Sequence, residues 1–387
     1  MELRQFSAEE FSQRFAGAQA GMAERGLDAL LVGTGVNLQY FCGFPSPTQS
    51  SSRPFFLLLP RAGDPALIVQ AGRQYEAARF SWVRDIRVYE RLGHLPAEIL
   101  GDVVRARGIE RGAIGLEWGH EMRSDLPTGE ILEWARGFPG LRLADGSEVI
   151  WRQRMIKSEA EIALIRRACA ITSRAYARLF DEVHEGMTEE EVARTFVRIH
   201  AEEGSGVTWM VITSGPGNYD FASKPPTARR LARGDLLWLD AGCNVGGYWS
   251  DFSRGAVVGG PSDAQRHAAG VINRITQTVV DAMRPGVEVG ALGALANRLI
   301  EESGLRWTSI ISGLAQRVGH GLGMNVTEPP SIAPYDHTPI QPGMVLTMEP
   351  GVATDHGIFH HEENVLVTAT GVEILSAAPT GLATLRT

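Results

Sequence analysis

Four acids in the second half of the chain stand where a purely structural strand disfavours charge. DLLWLDAG leads apolar residues into Asp240, and GYWSDFSR sets Asp251 among aromatics. GMVLTMEPG carries Glu349 behind Met348, and HHEENVLVT places Glu363 directly before an apolar run. A buried carboxylate is costly unless it is paired, hydrogen-bonded or bound to a metal. Taken singly, each acid reads as a turn former or a surface group. Taken together, and joined by His320 in the glycine-rich GHGLG, they form a donor set suited to two divalent ions. Carboxylates that bridge, plus one imidazole, fit hard or borderline cations such as Mn²⁺, Co²⁺ or Zn²⁺. The glycines beside His320 are expected to let the backbone approach a metal without Cβ clashes.

Such a set needs strands to hold it and helices to cover them. Ser158 with Glu161 forms a capping box, and Ile162, Ile165, Cys169, Thr172 and Tyr176 then recur at steps of three and four, one face of a long helix. Thr188 with Glu191 caps the next helix, and residues 262–283 and 290–303 supply two more. Between and after these lie the short β segments that carry the acids. This half therefore reads as an antiparallel sheet covered by helices on one side, an α+β layer. The first half begins with Ser7 and Glu10 capping a helix that bears Phe11, Phe15 and Met22. LDALLVG reads as a buried strand, FFLLLPRAGDPALIVQ as a hairpin, and LPAEILGDVVRARG then GAIGLEWG as helix and strand. Strands alternating with helices predict a compact α/β domain over 1–153, ahead of an α+β domain over 154–387.

Composition narrows the function classes. The 387 residues are 44% hydrophobic and 21% charged, ordinary for a globular chain and long enough for two domains. With 37 Lys and Arg against 45 Asp and Glu, the net charge is −8, the wrong sign for neutralising phosphates, so no nucleic acid is expected as a partner. Three cysteines are too few and too scattered for a disulfide scaffold or a thiolate metal site. No run approaches the ~20 apolar residues of a membrane span. The charged, amphipathic N-terminus has no apolar signal core, so no membrane contact and a cytoplasmic location are expected. GTGVNL lacks the third glycine and a clear helix start, which argues against NAD. Neither a GxSxG elbow nor a CxxC pair occurs.

The ordered set LDAG, SD, GHGLG, MEPG and EENVLVT resembles the pita-bread metallopeptidases, which include aminopeptidase P, prolidase and methionine aminopeptidase. RMIKSEAEIALIRRA resembles the helix that opens that catalytic domain, and GLDALLVGTGVNLQYFCGF resembles the N-terminal domain of the prolidase and creatinase branch. The resemblance implies an α/β N-terminal domain followed by an α+β pita-bread (creatinase/aminopeptidase) catalytic domain. It implies two divalent metal ions on Asp240, Asp251, His320, Glu349 and Glu363, with Asp251 and Glu363 bridging. It further implies a bridging water as nucleophile, Glu349 shuttling its proton to the leaving nitrogen, a dipeptide or other small-molecule substrate of Xaa-Pro type, and a homodimer.

The chain departs from that pattern around the substrate. Ser223, in SGPGNYDFASKPPTARR, stands where the family carries a histidine, and Thr327 in NVTEPP replaces a second. His361 stands where an arginine precedes the last ligand. Trp209, Tyr219, Ser223, Thr327 and His361 are accordingly the candidate substrate contacts, with Lys224, Arg317, His337, His356 and His360 also near the motifs. Two other chemistries stay open: hydrolysis of a non-peptide amide or amidine such as ectoine, and metal-dependent lysis of an osmolyte such as dimethylsulfoniopropionate. A non-catalytic binding module is disfavoured, because such modules lose the ligands.

Overall fold

The computed structural model describes residues 5–44, 52–312 and 317–387. The first four residues of the amphipathic N-terminal segment lie outside it. The chain divides into two units, Met1–Arg154 and Met155–Thr387.

In the first unit the elements run α1 (Ala8–Glu24), β1 (Ala29–Val32), α2 (Gly35–Cys42), β2 (Phe56–Pro60), β3 (Ala66–Gln70), α3 (Gln74–Phe80) and β4 (Asp85–Tyr89). They continue with α4 (Ala97–Ala106), β5 (Ala113–Leu116), α5 (Thr128–Arg136), β6 (Arg142–Asp145) and α6 (Ser147–Met155). Ser7 caps α1 by accepting the Glu10 amide. The six strands form one mixed sheet ordered β4-β3-β2-β1-β5-β6, and the expected hairpin is the antiparallel pair β2–β3. Contrary to the sequence expectation, GTGVNL does start a helix, α2, behind Thr34. A buried carboxyl group, that of Glu117, holds the turn. Glu117 Oε2 accepts from the Gly33 and Thr34 amides (2.8 and 3.0 Å), and its Oε1 from Thr34 Oγ1 and Asn37 Nδ2 (2.5 and 2.6 Å). An internal carboxyl group takes these donors, of the kind that bind phosphate at a helix start.

The second unit opens with α7 (Glu159–Glu182) and α8 (Glu189–Glu202), each started by the expected capping box. Strands β7 (Val207–Ser214), β8 (Leu236–Val245), β9 (Tyr248–Trp249) and β10 (Phe252–Val258) follow, then α9 (Asp263–Ala282) and α10 (Val289–Glu301). The remainder is short strands: β11 (Ser309–Ser312), β12 (His320–Gly321), β13 (Glu328–Ser331), β14 (Val345–Met348), β15 (Gly351–Thr354), β16 (Gly357–His360), β17 (Glu363–Val367), β18 (Val372–Ile374) and β19 (Ala383–Leu385). They form three sheets rather than the single one expected: β19-β10-β8-β7, β11-β15-β16 and β13-β12-β14-β17-β18. One pairing, β10 with β19, is parallel.

Helices also reach both faces of β8, not one. Cys243 and Val245 pack against Ala168 and Ile171 of α7, while Leu236 and Trp238, of opposite parity, pack with Val271, Ile272 and Ile275 of α9 and with β15–β16. Successive strand residues alternate faces, so Asp240 shares the inner face of Trp238. Cys169 is fully buried on α7, a core residue. Among the described residues no helix is long and apolar enough to cross a membrane.

Candidate metal centre

Register brings the acids of the first catalytic sheet onto one face. Asp240 pairs with Val211 of β7 and with Ser253 of β10. Paired residues and their i+2 neighbours share a face, so Trp209, Gly242 and Asp251 lie on Asp240's side. Gly242 is required there: a Cβ would sit 1.7 Å from the Ser250 carbonyl oxygen. That close approach keeps the turn carrying Asp251 tight against the strand carrying Asp240.

The second set comes from β12, β14 and β17. His320 donates its amide to Thr347 Oγ1 (3.1 Å). The flanking glycines make room for neighbouring strands rather than for a metal. A Cβ at Gly319 would lie 2.3 Å from the Thr347 carbonyl oxygen, and one at Gly321 would lie 2.3 Å from that of Pro329. His320 Nδ1 is 3.0 Å from the Gly321 carbonyl oxygen, which can only accept, so Nδ1 carries the proton. Nε2, the lone-pair nitrogen when the ring is neutral, faces Asp251 Oδ2 (3.5 Å) and Glu349 Oε1 (3.7 Å).

The last acid needs a correction of one residue. Two groups of donor atoms, each within 4.8 Å of one another, occur among the described residues: Asp240, His360 and Glu362; and Asp251, His320 and Glu362. Glu362 belongs to both, and Glu363 to neither. The pleat is the reason. Glu363 pairs with Met348 and shares its face with Val365 and Val367, which pack into the core of α9 and α10. Glu362 and Asn364 project to the other side. Asn364 clamps the Asp251 backbone there, accepting its N–H at Oδ1 (2.9 Å) and donating Nδ2 to its carbonyl.

Electrostatics separates the two glutamates further. Glu363 is neutralised by Arg254 Nη2 (3.0 and 3.1 Å to its two oxygens), by His361 Nε2 (2.8 Å) and by the Ser376 hydroxyl. Although burial opposes it, His361 and Arg254 hold the Glu363 carboxyl below the ordinary glutamate value. Burial, followed by Asp240 and Asp251, pushes Glu362 well above that value, and both its oxygens receive no hydrogen bond among the described residues. Burial, then Asp240 and Glu349, likewise raises Asp251, and burial raises Asp240; one oxygen of each is also without a donor. Glu349 is the exception. Burial opposes it, and His360 and His320 hold it low in the metal-free protein only when the rings carry a second proton; its side chain is 14% exposed. Buried carboxylates crowded together with orphaned oxygens demand cations. Two imidazoles among the carboxylates match borderline divalent ions, so the residues present fit a metal pair.

The remaining candidates separate. Trp209 shares Asp240's face of the sheet. Tyr219 is core: it is buried in the cluster of Trp238 and Ile358, and its hydroxyl accepts the Leu236 amide (3.0 Å). Ser223 is exposed and Thr327 half-buried at the start of β13. His361 pairs with Glu363 on the far face, so the imidazole beside the acids is His360, one residue earlier. Lys224 is paired with Glu189 (2.5 Å), His337 with Glu288 (3.0 Å), and His356 is exposed at the β15–β16 turn.

Comparison with known proteins agrees with this architecture. Residues 163–369 match the model of metallopeptidase family M24, and residues 14–156 that of the creatinase/prolidase N-terminal domain. A probable dipeptidase PepE of Mycobacterium tuberculosis is 30% identical over 91% of this chain and 90% of its own. An Xaa-Pro dipeptidase of Pyrococcus horikoshii is 28% identical over 92% and 94%. Among solved structures, the recombinant prolidase of Thermococcus sibiricus superposes with a TM-score of 0.86 at 26% identity, covering 98% of this chain and all (100%) of that one. Dipeptidase PepE from Mycobacterium ulcerans gives 0.84, also at 26% identity, over 99% and 100%.

Proposed function

The chain belongs to metallopeptidase family M24 and is a metallohydrolase, and from that premise we propose that it is a dinuclear dipeptidase cleaving Xaa-Pro dipeptides. Residues 1–153 form its creatinase-like N-terminal domain and 154–387 its catalytic domain. The observation that carries the two-metal reading is Glu362, shared by two donor groups, with neither carboxylate oxygen hydrogen-bonded among the described residues. Asp240, Asp251, His320, Glu349 and Glu362 would hold two ions of manganese, cobalt or zinc. Such a pair, when bound, lowers the pKa of a water and polarises the scissile carbonyl.

The chain's own part is positioning and proton handling. Glu349 reaches the open side of the cluster, so it accepts the proton that the attacking water loses. The same proton passes to the proline nitrogen as the C–N bond breaks, leaving an amino acid carboxylate and free proline. Trp209, on the face of Asp240, lines the approach. A homodimer and a cytoplasmic location complete the proposal, and a monomer by light scattering at micromolar concentration would contradict the first of these.

Ser223 and Thr327 favour one second reading, because histidines that contact substrate in the family are replaced there. That reading is a remodelled pocket for a non-peptide amide or amidine, or for lysis of a sulfonium osmolyte. Mass spectrometry of products from metal-loaded protein decides between them, using Xaa-Pro dipeptides, ectoine and dimethylsulfoniopropionate. Release of proline alone supports the dipeptidase; turnover of either other compound without proline release overturns it.

A further inference from the structure

The five-ligand set leaves out one imidazole. His360 is buried, with its side chain 2% exposed, and a ring nitrogen lies within 4.8 Å of donor oxygens of Asp240 and Glu362. We propose that His360 is a sixth metal ligand, presenting Nε2 to the cation held by Asp240 and Glu362; this rests on the two-cation reading above.

Ser253 settles which nitrogen is available. Its hydroxyl oxygen lies 2.9 Å from the His360 carbonyl oxygen and 2.7 Å from His360 Nδ1. A carbonyl cannot donate, so the hydroxyl proton goes to it, and Nδ1 must supply the proton for the second contact. In the neutral ring that a cation would bind, this Nδ1–H tautomer leaves Nε2 as the lone-pair nitrogen. The nearest carboxylate on that side, Glu349 Oε2, is 3.5 Å from Nε2, longer than the range of an N–H···O bond. That separation suits two donors facing a common centre rather than a donor and its acceptor. The ring is fixed in plane by Trp238, edge to face at 5.5 Å and 89°. Ser253 itself pairs with Asp240, so the residue that sets the tautomer and the first ligand sit opposite each other on adjacent strands.

His320 has a comparable construction at the other donor group, with a backbone carbonyl in place of the hydroxyl: Nδ1 tied to the Gly321 oxygen, Nε2 turned to carboxylates. Ligand histidines in proteins are commonly held in this way, the second ring nitrogen donating to an oxygen. Glu349 lies between the two rings, one oxygen toward each (3.7 Å to His320, 3.5 Å to His360). Each cation therefore gains one imidazole, which shifts preference from hard ions toward cobalt and zinc at both sites.

The test loads tag-free protein with Co²⁺ and measures ions bound per chain, the affinity of each site, and the imidazole scattering per cobalt by X-ray absorption. The expected result is one imidazole per ion in the wild type. His360→Gln should lose imidazole scattering at one ion and weaken that site at least about tenfold, and Ser253→Ala should weaken it by about 10–100-fold. Ser253→Ala keeps the ring and tests the tautomer argument if the His360 variant folds poorly. Two ions bound with unchanged affinities and imidazole count in both variants would overturn the sixth ligand and leave the two-cation reading standing. A wild type that binds no cobalt would overturn both.

Discussion

Glu362 and Glu363 are adjacent in the chain and face opposite sides of one sheet. Glu362 looks into a cluster of acids with both oxygens unpartnered among the described residues, and Glu363 is gripped by Arg254, His361 and Ser376. The same substitution at these two positions should therefore have opposite consequences. Glu362→Ala should abolish binding of at least one ion while leaving the melting temperature of the metal-free protein level or higher. Glu363→Ala strands the buried Arg254 guanidinium, and breaking a buried pair costs about 3–5 kcal/mol. Metal analysis and thermal melts of the two variants check this; metal loss confined to Glu363→Ala would restore the assignment that the sequence alone suggests.

The pH dependence follows from the raised carboxyls. Asp240, Asp251 and Glu362 all bind protons more tightly in the fold than in the unfolded chain, where acids titrate near pH 4. The folded state then holds more protons, so stability from these groups is present below about pH 4 and is lost as pH rises through their folded values. Metal-free protein should accordingly melt lower as pH is raised from weakly acid to neutral, and added Co²⁺ or Mn²⁺ should remove that slope. Cation binding should also release protons, measurable by calorimetry in buffers of different ionisation enthalpy. A metal-free melting temperature that rises across this interval in the wild type, and equally in Glu362→Gln, would contradict the account.

Asn364 acts on the site through Asp251. Its side chain accepts from and donates to the Asp251 backbone, fixing where that carboxylate starts. Asn364→Ala should weaken metal affinity by about 10–100-fold, the usual cost of losing an outer partner of a ligand. Excess metal should restore turnover with KM unchanged. Unaltered affinity would show that the strand alone places Asp251.

How much of this is legible beforehand depends on the kind of signal. Capping boxes at Ser158 and Thr188 mark helix starts because the side-chain chemistry is local, and α7 and α8 begin there. Asp240, Asp251, His320 and Glu349 attract notice as charges in apolar segments, and register brings them together. The phase of the last acid is not visible, since two consecutive glutamates before NVLVT differ only in strand parity, and parity is set by pairing with Met348. His360 is hidden by the same shift: read with Glu363 as ligand, the imidazole of interest becomes His361. The hairpin β15–β16 is also missed, because its strands are buried throughout and show no alternation. Helix α2 escapes for a related reason. Its first turn is satisfied by Glu117, eighty-odd residues away, which no local pattern announces.

The substrate proposal is tested at Ser223 and Thr327, where the family resemblance implies histidines. The structure leaves Ser223 exposed and Thr327 half-buried beside Glu328, so a larger side chain at either position meets no packed core. If the replaced histidines are donors to the developing oxyanion, each lost donor costs about 2.7–4 kcal/mol in the barrier, roughly a hundredfold to a thousandfold in rate. A dipeptidase that has merely lost them should cleave Xaa-Pro substrates slowly, and restoring Ser223→His with Thr327→His should raise kcat with metal content unchanged. A pocket remodelled for another compound should behave differently: the double substitution should depress turnover of that compound and gain little on dipeptides. Measuring kcat and KM for both substrate classes, in both proteins at equal metal loading, separates the cases. The dipeptidase proposal fails if the double variant leaves Xaa-Pro cleavage undetectable while the wild type turns over a non-peptide amide or a sulfonium compound.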